Sequence, residues 1–177
     1  MNIREHLMKE NSKQNWEEVC AFVGQNPDRF KELMNIFMHG EMHLVQRASQ
    51  PVGKLGEQYP QLIAPYLPQL IDYLKMNPIP AVRRNTMRIL QFIDLTEDIE
   101  GPLFDIGLRY LASESEPIAV KAFTMTVLRR VCQKYPELAS EVIHQIEILV
   151  EEKASAGIVN RGEKELKKLR KIYSNSQ

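Results

Sequence analysis

A short signature recurs along the chain. Val45-Gln46-Arg47, Val82-Arg83-Arg84, Val120-Lys121-Ala122 and Val159-Asn160-Arg161 follow one another at offsets of 37, 38 and 39 residues. Each valine comes eight to ten positions after an apolar residue, Phe37, Leu74, Leu111 or Leu149, which leaves room for only a short connection between elements. A second echo has about twice the period. Tyr59-Pro60-Gln61-Leu62-Ile63-Ala64 is similar to Tyr135-Pro136-Glu137-Leu138-Ala139-Ser140, 76 positions later. A period of this size marks a small supersecondary unit that cannot bury its own apolar stripe and must stack on its neighbours.

The units are helical. Leu62, Ile63, Tyr66, Leu67, Leu70, Ile71 and Leu74 keep the three-and-four step of an amphipathic helix, as do Leu138, Val142, Ile143, Ile146, Leu149 and Val150. No useful length of strand-like alternation occurs, so the class is all-α. Pro27, Pro60, Pro80, Pro102, Pro117 and Pro136 stand where segments begin, and they are expected to open helices, because the first helical turn has no use for the missing N–H.

Asn77-Pro78-Ile79-Pro80-Ala81-Val82-Arg83-Arg84 leading to Ile89-Leu90, and Ser115-Glu116-Pro117-Ile118-Ala119-Val120-Lys121 leading to Val127-Leu128, resemble the first helix of a HEAT repeat. Tyr66-Leu67-Pro68-Gln69-Leu70-Ile71-Asp72-Tyr73-Leu74 is similar to a second helix of such a unit. The resemblance implies a short right-handed α-solenoid of about four helical hairpins closed by a C-terminal capping helix. The expected division of the single domain, 1–177, is a lead-in (1–12), an N-terminal hairpin (13–40), repeats at 41–77, 78–115 and 116–156, and a cap with tail (157–177). In the N-terminal hairpin Trp16, Val19, Phe22 and Val23 are expected to face Phe30, Leu33, Met34 and Phe37. The last helix carries Leu166, Leu169 and Ile172 on one side and Lys164, Lys167, Lys168, Arg170 and Lys171 elsewhere.

The 23 basic and 23 acidic residues cancel, which argues against a wholly basic nucleic-acid binder. The sum hides a pattern. On the expected first helices (41–57, 79–95, 118–135) nine basic residues outnumber three acidic ones, a net of +6. On the second helices (61–76, 97–112, 137–153) ten acids face three bases, a net of −7. Opposite layers can simply pair with each other along the stack, each pair contributing little. Since second helices line the concave face in HEAT-like solenoids, the resemblance also implies an acidic concave surface that selects a basic protein or peptide through electrostatic complementarity. Its candidate contacts are Gln69, Asp72, Asp105, Arg109, Glu141 and Gln145, with Tyr66, Tyr73 and Tyr110 as anchors.

Nothing in the sequence speaks for catalysis. The chain has no nucleophile elbow and no Gly-rich phosphate cradle. His39 and His43 share a helical spacing around Glu41, but Gly40 interrupts them and no third histidine is near, so neither a metal nor any other cofactor is expected. Cys20 and Cys132 sit among apolar residues and read as buried structural thiols. The N-terminal stretch lacks a signal-peptide pattern and no apolar run reaches the ~20 residues of a spanning helix, so a cytoplasmic location without membrane contact is expected. Together these features favour a non-catalytic interaction scaffold. The alternative is a HEAT-like nucleic-acid binder, or an enzyme resembling the DNA glycosylases of that architecture, working through the basic face.

Overall fold

The computed structural model describes residues 1–153 and 155–176. Among them every regular element is helical: α1 (Ile3–Lys9), α2 (Lys13–Val23), α3 (Pro27–His39), α4 (Met42–Gln58), α5 (Pro60–Ile63), α6 (Leu67–Lys75), α7 (Pro80–Leu90), α8 (Glu97–Ala112), α9 (Ile118–Lys134), α10 (Ala139–Glu151) and α11 (Ala156–Ser174). Short 3-10 turns at Ala64–Tyr66 and Pro136–Leu138 complete the set. The chain forms two compact units, Met1–Asp94 and Leu95–Gln177.

Helix starts follow local chemistry. The side chains of Asn2, Ser12, Asn26 and Ser155 accept the otherwise orphaned backbone N–H of Glu5, Asn15, Arg29 and Ile158 at 3.0–3.1 Å. Pro27, Pro60 and Pro80 occupy first-turn positions, whereas Pro117 is the N-cap of α9 and Pro136 opens a 3-10 turn. Pro102 departs from expectation. It lies inside α8, which begins five residues earlier at Glu97, where Glu97, Asp98 and Glu100 place negative charge on the first turn. The continuous second helix expected at 61–76 is also broken into α5, a 3-10 turn and α6, because Pro65 and Pro68 each remove a backbone donor.

The Tyr-Pro echo is a structural one. Tyr59 (φ −132°, ψ 71°) and Tyr135 (φ −124°, ψ 74°) leave the helix with nearly the same backbone geometry, outside the helical region that a following proline disfavours. Their N–H groups donate to Leu55 O and Val131 O, and their carbonyls accept from Leu62 N and Leu138 N. One four-residue signal thus makes the same corner twice.

In the first unit α4 is the centre, packing against α1, α2, α3 and α7. Its buried side includes Leu44, Val45, Ala48, Val52 and Leu55. Of the residues expected across the N-terminal hairpin, Val19, Val23, Phe30, Leu33, Met34 and Phe37 are buried, while Trp16 and Phe22 are half-buried, with the Arg29 guanidinium 4.2 Å above the Phe22 ring. Small residues set the approach of α7: a Cβ at Gly53 would stand 2.5 Å from Asn85 Oδ1, and one at Gly56 2.9 Å from Ile89 Cδ1. The Asn85 amide is fixed there by donating to Ala81 O at 2.9 Å.

In the second unit α9 packs against α8, α10 and α11. Gly107 on α8 lies against Leu128, and Gly162 on α11 against Val150. Helix α11 buries Ile158, Leu166 and Leu169 on one side, with Ile172 half-buried, and exposes Lys164, Lys167, Lys168, Arg170 and Lys171, the two-faced design of a terminal helix.

Gly53→Val should destabilise the protein by about 1–3 kcal/mol, since the new branches meet an amide held by its own hydrogen bond. Urea unfolding measures it, and wild-type stability would show that α7 can move away from α4 at no cost.

Candidate functional site

The basic residues of the first helices are largely engaged in holding helices together. Arg47 Nη1 donates to the carbonyls of Leu7 and Met8, both at 2.8 Å, and so closes the C-terminal end of α1. Arg83 donates to Pro78 O, and Arg88 pairs with Glu57 across α7 and α4. In the second unit Arg129 Nε lies 2.7 Å from Glu165 Oε2 on α11, with side-chain exposures of 14% and 4%. The same carboxylate accepts Thr126 Oγ1 at 3.0 Å, and Arg161 donates to that hydroxyl at 2.7 Å. Lys134 donates to Leu95 O at 2.9 Å and to Glu100 Oε1.

Most of these ion pairs join one first helix to another element of its own layer, Arg88 to Glu57 and Arg129 to Glu165, rather than to a second helix. Lys134 with Glu100 is the clear case of the cross-layer pairing that opposite charges suggest. Glu100 is 1% exposed and also accepts the Tyr135 hydroxyl at 3.0 Å, a bond that, together with burial, pushes the tyrosine above its usual pKa.

The second-helix residues fall into separate places. In the first unit Gln69 and Asp72 are exposed on α6, and Asp72 holds Lys75 of its own helix at 2.7 Å. Tyr66 and Tyr73 are half-buried, edge-on to Phe30 and Phe37 with ring centres 6.0 and 6.2 Å apart, so each has a hydrophobic seat and burial pushes the Tyr73 phenol up. In the second unit Asp105 and Glu141 are exposed, Arg109 is exposed beside the Tyr110 ring, and Gln145 is half-buried. Tyr110 is a correction. At 1% exposure its ring is core packing and offers no anchor, because position 110 falls on the buried stripe of α8 with Ile106, Gly107 and Leu111.

Two clefts in the second unit take up some of these residues. Asp105 lines one of about 350 Å³ together with Glu97, Glu100, Phe104, Val131, Tyr135 and Leu138, an apolar floor with acids at its edge. Gln145 lines another of about 400 Å³ with Leu111, Ala112, Glu114, Lys121, Ile148, Leu149 and Glu152. Glu100 and Lys121 were not among the sequence candidates. Burial of a charged side chain marks both, and helical spacing does not carry that information.

The sequence matches the HEAT repeat domain over residues 3–169. The chain belongs to the HEAT repeat family. No curated protein and no solved structure matches it at a significant level. For a HEAT repeat protein the all-α solenoid architecture is the family's own, and the family typically supplies non-catalytic scaffolds for protein interaction.

Other groups in this HEAT chain bear on chemistry. His39 ends α3 and His43 begins α4, both exposed; His43 Nδ1 is 3.7 Å from Glu41, whose other oxygen takes Arg4 at 2.9 Å. Among the described residues no group of three or more His, Cys, Asp or Glu is placed to hold a metal, and no helix is long and apolar enough to cross a membrane. Burial pushes the Cys20 and Cys132 thiols up to about 12, far from the depressed range of a nucleophilic cysteine.

Glu165→Ala should cost about 3 kcal/mol in urea unfolding by leaving Arg129 largely buried without its partner, and a loss below about 1 kcal/mol would mean that the pair is replaceable by water. Native protein at mildly alkaline pH should resist Ellman's reagent, and denaturant should release both thiols. Because the native thiols titrate above the unfolded value of about 8.5, the stability they contribute is fully present below that value and is lost as pH rises toward about 12. Rapid labelling of the native protein would show a reactive cysteine.

Proposed function

We propose that the chain is a non-catalytic scaffold that takes a basic protein or peptide segment on the acidic faces of its second helices. What carries this reading is the unequal use of charge. Arg47, Arg88, Arg129 and Lys134 are engaged by carbonyls or carboxylates of the fold, whereas Glu97, Asp98, Asp105, Glu137 and Glu141 are exposed and have no ion pair among the described residues. Free carboxylates on a surface with an apolar cleft of about 350 Å³ suit a lysine or arginine side chain: Phe104, Val131 and Leu138 can cover its methylenes while Glu97 and Asp105 meet its charged end. Such complementarity acts mainly on orientation and association rate and weakens with salt.

A nucleic-acid partner needs a track of available cations. Engagement of Arg47, Arg83, Arg88 and Arg129 in the fold speaks against that use, and exposed lysines are concentrated instead on α11 at Lys164, Lys167 and Lys171.

The test is fluorescence anisotropy with a labelled lysine- and arginine-rich peptide, using wild type and the Asp105→Lys/Glu141→Lys double variant. Salt-sensitive binding that weakens roughly ten-fold or more in the variant, about 1.4 kcal/mol, is the expected result, with circular dichroism to check the fold. Equal binding by both proteins sinks the acidic-face reading, and tighter binding of an oligonucleotide than of the peptide reverses the choice of partner.

A further inference from the structure

The second cleft contains a charged group that the fold leaves unused. Lys121, on the second turn of α9, is 8% exposed, yet its ammonium has neither hydrogen-bond acceptor nor carboxylate partner among the described residues. It is also not among the polar atoms sealed from solvent, so the ammonium opens onto the cleft it lines. An ammonium buried to this degree needs acceptors. The ends of α8 (Leu111, Ala112) and α10 (Leu149, Glu152) lie around it, and the negative pole of a helix C-terminus favours the charged form without occupying all three donors.

The remaining walls narrow the choice of occupant. Leu111, Ile148 and Leu149 give an apolar side; Ile148 is 37% exposed, an apolar surface left open to solvent. Glu114 and Glu152 put two carboxylates at the edge. A bare anion would meet Lys121 favourably and those glutamates unfavourably. A ligand that offers a carboxylate to Lys121, an apolar side chain to Leu111 and Ile148, and a cation to the glutamates satisfies every wall. The geometry points to a site for the C-terminal residue of a peptide, apolar and with a free carboxylate, preceded by a lysine or arginine. This deepens the proposed scaffold role and rests on it for the basic character of the partner. The site itself is separate from the Asp105 cleft, with no lining residue in common.

Amide NMR spectra of the full chain, titrated with acetyl-Lys-Leu bearing a free carboxylate, test the assignment. Saturable shifts are expected around Lys121, Gln145, Ile148 and Glu152, with at least ten-fold weaker binding of the same compound as its C-terminal amide. Lys121→Met should abolish the preference for acid over amide. Ile148→Asp, at an exposed position that threatens the fold little, should weaken the acid form independently. Equal shifts from acid and amide, an undiminished preference in Lys121→Met, or no shift at these residues would each overturn the site. Free leucine binding as tightly as acetyl-Lys-Leu would overturn its assignment to a peptide terminus. The Asp105→Lys/Glu141→Lys variant should bind acetyl-Lys-Leu like wild type, so failure of the acidic-face reading and failure of this site give different patterns.

Discussion

Helix α4 packs against α1, α2, α3 and α7, and helix α9 against α8, α10 and α11. Arg47 and Glu57 of α4 and Arg129 of α9 are half-buried by these neighbours, and a charge drawn part-way out of water carries a cost unless it is paired. That constraint organises the polar interior. Arg47 closes α1, Glu57 receives Arg88, Glu165 receives Arg129, and Lys134 ties α9 to Glu100 of α8 and to the Leu95 carbonyl before it. Glycines facing the central helices or on them, Gly53, Gly56 and Gly107, let backbones come close enough for these side chains to reach. Hydrophobic burial supplies the driving force, and the ion pairs fix which face meets which.

Much of this could be read from the sequence. The spacing of the Val-basic signature and the Tyr-Pro echo located the helices, because periodicity and proline geometry are local properties. Pro102 was harder: prolines stand inside both α4 and α8, at Pro51 and Pro102, because burial of the helix against its neighbours outweighs the local cost of the missing donor, and local sequence does not carry that burial. The candidate site was legible only in part. Asp105 and Glu141 are exposed as an amphipathic pattern suggests, but Tyr110 shares that pattern and is buried, since a tyrosine's place depends on which neighbour covers its side of the helix.

The charge layers show the same limit. Counting residues along first and second helices separates the signs correctly, but it gives no account of who holds whom. Lys121 and Arg129 contribute equally to that count. In the structure one is clasped by a buried carboxylate and the other opens, without a partner among the described residues, onto a cleft. Only the three-dimensional arrangement distinguishes a charge used to build the fold from a charge left for something else.

The twin corners at Tyr59-Pro60 and Tyr135-Pro136 have a consequence for how the chain reaches this structure. A following proline disfavours the helical region for the residue before it, in the unfolded chain as well as in the native one, so at Tyr59 and Tyr135, which both lie outside that region, the reversals are favoured before any tertiary contact forms. The contacts they serve, between α4 and α5 and between α9 and α10, join segments close in sequence. Short loops closed at prepared corners lower the entropy that must be lost early in folding. Each unit can therefore begin from its own corner, and rapid, locally nucleated folding is built into the same dipeptide that shapes the repeat.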